Sequence, residues 1–127
     1  MSKIGFSIEY PCKCASVSVL WNSIGTAPGL SEWFADDVSA SGENYCFVWE
    51  KYEHQAVMVQ RKVNSHIRFQ WMDDEGTDAY FEIRIEKEAI TGELTLIVTD
   101  YAIPSDKDDT VLLWNKQIEQ LKRKIGL

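Results

Sequence analysis

The chain has no long apolar run. None of its 127 residues fall in a stretch approaching the ~20 consecutive apolar positions of a helical membrane span, so no span is expected. The opening residues, MSKIGFSIEY, hold one lysine and no apolar core. No signal peptide is expected, and the expected location is the cytoplasm. Cysteine is scarce and odd in number, Cys12, Cys14 and Cys46, which without a secretory leader points to reduced thiols. Cys12 and Cys14 supply two of the about four ligands of a structural zinc site. Only Cys46, His54 and His66 could complete it, and small buried or half-buried thiols are the simpler reading. No metal is expected.

Positive charge is also in deficit. Thirteen Lys and Arg face 20 Asp and Glu, for a net charge of −7. Phosphate backbones need the opposite balance, so nucleic acid is not an expected partner. The one basic cluster, Lys122, Arg123 and Lys124, falls in the last turns of a helix, where cations complement the negative dipole end.

The sequence lacks the parts of a catalytic site. There is no G-x-S-x-G and no helical pair of histidines. His54 and His66 both fall in strand patterns and read as solvated strand residues. The acidic run from Asp73 to Asp78 lacks the D-x-[DN]-x-[DN]-G spacing of a calcium loop and reads as a solvated hairpin tip. No enzyme activity and no cofactor are expected.

What is present is periodic apolar patterning. Val111, Trp114, Ile118, Leu121 and Ile125 recur at steps of three and four, one face of an α-helix. Ser105 or Asp106 can cap it, Asp108 and Asp109 favour its positive end, and Gly126 stops it. Upstream, strand signals dominate. Lys3 to Glu9 forms a first strand that exits at Tyr10-Pro11. Val17, Leu20, Trp21 and Ile24 fit a helix, while Ala15, Val17, Val19 and Trp21 fit a strand equally well. Pro28 can open a short helix over Leu30 to Ala35. Asn44 to Trp49 and Glu53 to Val63 read as strands. Ile67, Phe69 and Trp71 alternate with His66, Arg68 and Gln70, and Phe81, Ile83 and Ile85 with Glu82, Arg84 and Glu86. Gly76 is the tight point of the loop between them. Leu94, Leu96 and Val98 follow a Thr91-Gly92 turn, and Pro104 ends that strand. The pattern is α+β, a single domain over residues 1–127, with one sheet and helices on one face.

Aromatics are the strongest chemical signal. Trp33, Trp49, Trp71 and Trp114 fall on inward-pointing segments, joined by Phe34, Phe47, Phe69 and Phe81. They read either as a packed core or as the wall of a pocket for an apolar ligand. Both hold if the inner end is packed and the mouth open.

Several motifs carry a resemblance. P-G-L-S-E-W-F-A-D-D-V (Pro28 to Val38), F-V-W (Phe47 to Trp49), I-R-F-Q-W (Ile67 to Trp71) and Y-F-E-I-R-I (Tyr80 to Ile85) resemble bacterial START-like domains. So do L-I-V-T-D-Y-A (Leu96 to Ala102) and L-L-W-N-K-Q-I-E-Q-L-K (Leu112 to Lys122). These domains belong to the SRPBCC superfamily, and the chain is similar to the subgroup that activates the ninety-kilodalton heat-shock protein ATPase. The resemblance implies a helix-grip fold, a curved antiparallel sheet wrapped round a long C-terminal helix, with two short helices after the first strand. It implies helix for Ala15 to Ile24. It leaves function open, since the superfamily hosts many tasks. The expected function is binding of a hydrophobic small molecule between sheet and helix by Trp33, Phe34, Phe69, Trp71, Phe81, Trp114 and Ile118, almost without fixed charge. The alternative is a protein-interaction or cochaperone-like module with a filled core and an acidic surface.

Overall fold

The computed structural model describes residues 2–127; Met1 lies outside the described residues. Seven strands form one antiparallel sheet: β1 (Ile4–Cys12), β2 (Asp37–Ser41), β3 (Asn44–Trp49), β4 (Tyr52–Lys62), β5 (His66–Trp71), β6 (Phe81–Lys87) and β7 (Leu94–Ala102). Their spatial order is β1-β7-β6-β5-β4-β3-β2. Two short helices, α1 (Val17–Ile24) and α2 (Ala27–Leu30), follow β1, and α3 (Lys107–Ile125) ends the chain. This is the α+β architecture that the patterning implied and the helix-grip fold that the resemblance implied.

The stripe of α3 packs as its spacing requires. Trp114, Ile118 and Leu121 are buried, and Val111 and Ile125 are half-buried. The inner sheet rows facing it include Phe47, Phe69, Phe81, Ile83, Leu96 and Val98, all at most 1% exposed. Tyr10 ties β1 to α3 by donating its hydroxyl to Asn115 Oδ1 at 2.7 Å, and burial pushes that hydroxyl up to about 12. Gly126 closes α3 at φ 81°, a left-handed position that glycine adopts without strain.

The ambiguous stretch after β1 is helical. Ser16 Oγ accepts from Val19 N–H at 3.2 Å, an N-cap, and Leu20, Trp21 and Ile24 turn inward together.

Five local expectations change. β1 does not exit at Tyr10 but runs through Pro11 to Cys12. Among the described residues it pairs with β7 alone, and an edge strand tolerates a residue without an N–H. The expected helix over Leu30 to Ala35 is a helix over Ala27–Leu30 followed by turns. There the amides of Trp33, Phe34 and Ala35 all converge on the Leu30 carbonyl, which is no helical ladder. Neither Ser105 nor Asp106 caps α3 through its side chain; a single 3₁₀ turn, Pro104–Asp106, feeds straight into the helix.

The loop after β5 is not a freely solvated tip. It begins with a 3₁₀ turn, Met72–Asp74, and Asp74 is buried. The Lys3 ammonium donates to both Asp74 oxygens at 2.9 and 3.0 Å, so the loop folds back on the start of β1. Only beyond it, at Gly76 (φ 82°), is the tip open.

His66 is not solvated either; it is 7% exposed. It sits on the outer sheet face as its parity dictates. A β-bulge between Met58 and Gln60 shifts the register of β4, and Gln60 Oε1 meets His66 Nε2 at 3.0 Å while Ser65 Oγ meets Nδ1 at 2.8 Å.

Candidate functional site

A cleft of about 340 Å³ opens between the first half of α3 and the sheet. Each element contributes to it by its periodicity. β3 supplies Trp49, β4 His54, β5 Trp71, β6 Phe81 and β7 Asp100. Thr110, Leu113, Trp114 and Gln117 come from α3, and Phe34 from the turn after α2. That turn matters because it directs consecutive side chains inward. Trp33 donates its indole N–H to Ser23 O at 2.8 Å, and Phe34 drops between sheet and helix. The Phe34 carbonyl then accepts from Trp49 Nε1 and from Gln117 Nε2, both at 2.9 Å. One backbone oxygen thus joins sheet, turn and helix at the cleft wall.

The floor is an aromatic stack. Phe34 stacks on Phe81 and on Trp114, with ring centroids 5.5 and 5.4 Å away and ring planes tilted by 30° and 27°. Trp71 stacks on Phe81 at 5.0 Å. At the mouth the His54 ring sits edge-on between Trp49 (5.4 Å) and Trp71 (6.2 Å). Leu113, 56% exposed, forms the outer lip.

The inner wall is not free of charge. Asp100 Oδ2 accepts from Trp114 Nε1 at 2.8 Å, and Oδ1 accepts from Tyr101 N–H at 2.7 Å. Burial pushes the Asp100 carboxyl above the usual aspartate range, against the lowering effect of those two hydrogen bonds.

Four of the seven residues expected to touch a ligand line this cleft: Phe34, Trp71, Phe81 and Trp114. The other three are not brought to it. Phe69 and Ile118 lie in the packed core behind it, at most 2% exposed. Trp33 lines an adjoining groove of about 460 Å³ that shares Phe34, Trp49, Leu113 and Gln117 with the cleft and adds Glu32, Asp36 and Lys116. Trp49, read as one of the inward-pointing aromatics of core or pocket wall, also lines the cleft, whereas His54, Asp100, Thr110, Leu113 and Gln117 were not foreseen as lining. Strand parity could have found Asp100, which continues the inward row of Leu94, Leu96 and Val98. Finding His54 needs the β3–β4 register, which sets it opposite Phe47.

Among the described residues no three or more His, Cys, Asp or Glu side chains are grouped to hold a metal, and no helix is long and apolar enough to cross a membrane. Cys12 is buried, Cys14 exposed and Cys46 half-buried, all as free thiols.

A sheet that grips a C-terminal helix over an aromatic cleft agrees with the family match. The model of the START-like superfamily domain covers residues 1–127. The chain belongs to the START-like superfamily. Among solved structures, this START-like domain is similar to a Bacteroides fragilis protein solved in solution, with 37% identity, 100% of this chain and 94% of that chain covered, and a TM-score of 0.69. It shares its fold with the Aha1 dimer from Colwellia psychrerythraea (16% identity, 94% and 93% covered, TM-score 0.74). The same holds for a Mesorhizobium loti protein solved by crystallography (12% identity, 97% of each chain covered, TM-score 0.74). No curated protein matches the chain.

Proposed function

We propose that this START-like domain binds a ring-containing apolar small molecule in the cleft between α3 and the sheet. The observation that carries the reading is the convergence of Phe34, Trp49, Trp71, Phe81 and Trp114 on one open space of about 340 Å³. Concave, aromatic-lined spaces of roughly 300–1,000 Å³ are the usual form of small-molecule sites. Burial of apolar ligand surface supplies the driving force, and ring faces add directional contacts.

Two polar groups of the lining are committed within the protein. The Gln117 amide is committed to the Phe34 carbonyl and the Thr110 hydroxyl donates to Asp106 O at 2.9 Å. Neither group is free to act on a substrate.

The test is a fluorescence titration with Nile red, an uncharged dye that brightens in apolar surroundings. Saturable brightening is expected, with an affinity several-fold weaker in Leu113→Gln, which removes the apolar lip and leaves the core untouched. An unsaturable response, or one indifferent to Leu113→Gln, sinks the reading and leaves the protein-interaction module in its place.

A further inference from the structure

Three carboxylates of this domain are withdrawn from water, Asp74 and Glu82 buried and Asp100 half-buried, and the chain treats them differently. Glu82, 5% exposed, is held by two guanidinium groups: Arg68 Nη2 lies 2.9 Å and Arg84 Nε 3.1 Å from its oxygens. Asp100 has no such partner. None of the ion pairs among the described residues includes it. Its oxygens accept from the Trp114 indole and the Tyr101 amide, neutral donors that leave the charge uncompensated. The Lys3 ammonium, whose charge reaches Asp100, is bonded to Asp74. A charge withdrawn from water without a counter-charge is unfavourable, and this one faces the ligand cleft.

The rest of the lining favours the same sign of guest. No lysine or arginine lines the cleft, and the only other titratable side chain there is His54 at the mouth. Aromatic faces are electron-rich and attract cations, tryptophan most of all; three of the five cleft aromatics are Trp49, Trp71 and Trp114. The net charge of −7 draws cations to the surface and repels anions.

We propose that the ligand of the cleft is an organic cation: an amine or quaternary ammonium whose charge pairs with Asp100 and whose apolar body lies against the tryptophan faces. This rests on the cleft being the ligand site. Apolar burial supplies affinity for any ring of suitable size, and Asp100 selects among rings by charge.

Three probes with one body separate the two ideas: 2-naphthylmethylamine, 2-naphthylmethanol and 2-naphthoic acid, titrated by calorimetry. The amine is expected to bind about tenfold more tightly than the alcohol, and the acid most weakly. Asp100→Asn is expected to bring the amine down to the level at which the same variant binds the alcohol. Leu113→Lys, at an exposed lip position, sets a like charge beside the guest. It is expected to weaken the amine more than the alcohol even if Asp100→Asn does not fold. Equal binding of amine and alcohol to the unaltered protein, or tightest binding of the acid, overturns the proposal while leaving the cleft a ligand site. So does an amine preference that survives Asp100→Asn. If no probe binds, both readings fall together.

Discussion

The indole N–H of Trp114 meets the Asp100 carboxylate at 2.8 Å, and through it the central helix is bonded to the strand beside it. The same indole ring stacks on Phe34. One side chain therefore fills core volume, walls the cleft and holds its charged group in place.

Trp114→Ala is expected to cost about 3–5 kcal/mol, because it empties a large buried site. Trp114→Phe keeps most of the apolar volume but removes a donor to the half-buried Asp100 carboxylate, which costs about 1–3 kcal/mol. Urea denaturation of both variants checks the order. A loss below about 1 kcal/mol for the alanine variant would mean that α3 gains little from this anchor.

Glu82→Gln is expected to cost about 1.5–3 kcal/mol near neutral pH, the usual range for hydrogen bonds to charged groups. Burial pushes the Glu82 carboxyl up, but the hydrogen bonds and charges of Arg84 and Arg68 outweigh it and hold the group below the ordinary glutamate value of 4.5. The folded state thus binds fewer protons than the unfolded chain between the two values. Its contribution is complete above pH 4.5 and falls away as pH drops through the folded value. Stability curves of the two proteins should converge in acid; a gap that stays constant with pH contradicts this account.

The elements that were legible in the sequence are those whose pattern repeats over neighbours. The alternation of Ile67, Phe69 and Trp71 and that of Phe81, Ile83 and Ile85 needed no distant information, nor did the three-and-four spacing of α3. What was not legible depends on contacts between distant segments. Asp74 is buried because Lys3, 71 residues away in sequence, reaches it. His66 is covered because a bulge in β4 moves Gln60 beside it. Trp33 and Phe34 both point inward because three amides converge on one carbonyl, a geometry with no periodic signature. Asp100 is a different case. Its parity was plain, but a carboxylate on an apolar row breaks the pattern that makes such rows recognisable, and functional groups do this often.

His66 is expected to make stability fall as the solution is acidified below about pH 6.5. Burial and then the positive charge of Arg84 lower its pKa below the ordinary 6.5, with Glu82 acting the other way. The unfolded chain therefore binds the proton first. The contribution is complete above pH 6.5 and is lost as pH falls through the folded value. His66→Gln should flatten the slope relative to the unaltered protein. If the difference between the two proteins is independent of pH, the imidazole is not held neutral.

The β5–β6 loop should divide sharply in its tolerance. Insertion of two or three polar residues beside Gly76, where no atom lies within 4 Å of an added Cβ, should leave the melting temperature nearly unchanged. Asp74→Ala, a few residues earlier, removes the acceptor of Lys3 at a buried position and should lower it. Equal effects would show that the Lys3 contact does not organise the loop. Thermal melts of the three proteins decide this.

The strand order also sets a sequence of events in time. From β2 to β7 every strand pairs with its neighbour in the chain, so these pairings close short loops and form early. The pairing of β1 with β7 is different, joining Ile4 to Ala102 and Cys12 to Leu94 across most of the chain. Its closure entropy is the largest in the sheet, and contacts of that separation slow folding. The first strand of this domain is thus expected to dock last. Until it does, the outer edge of β7 stands open, and the interval before β1 docks is when this domain is most exposed to pairing with a foreign strand.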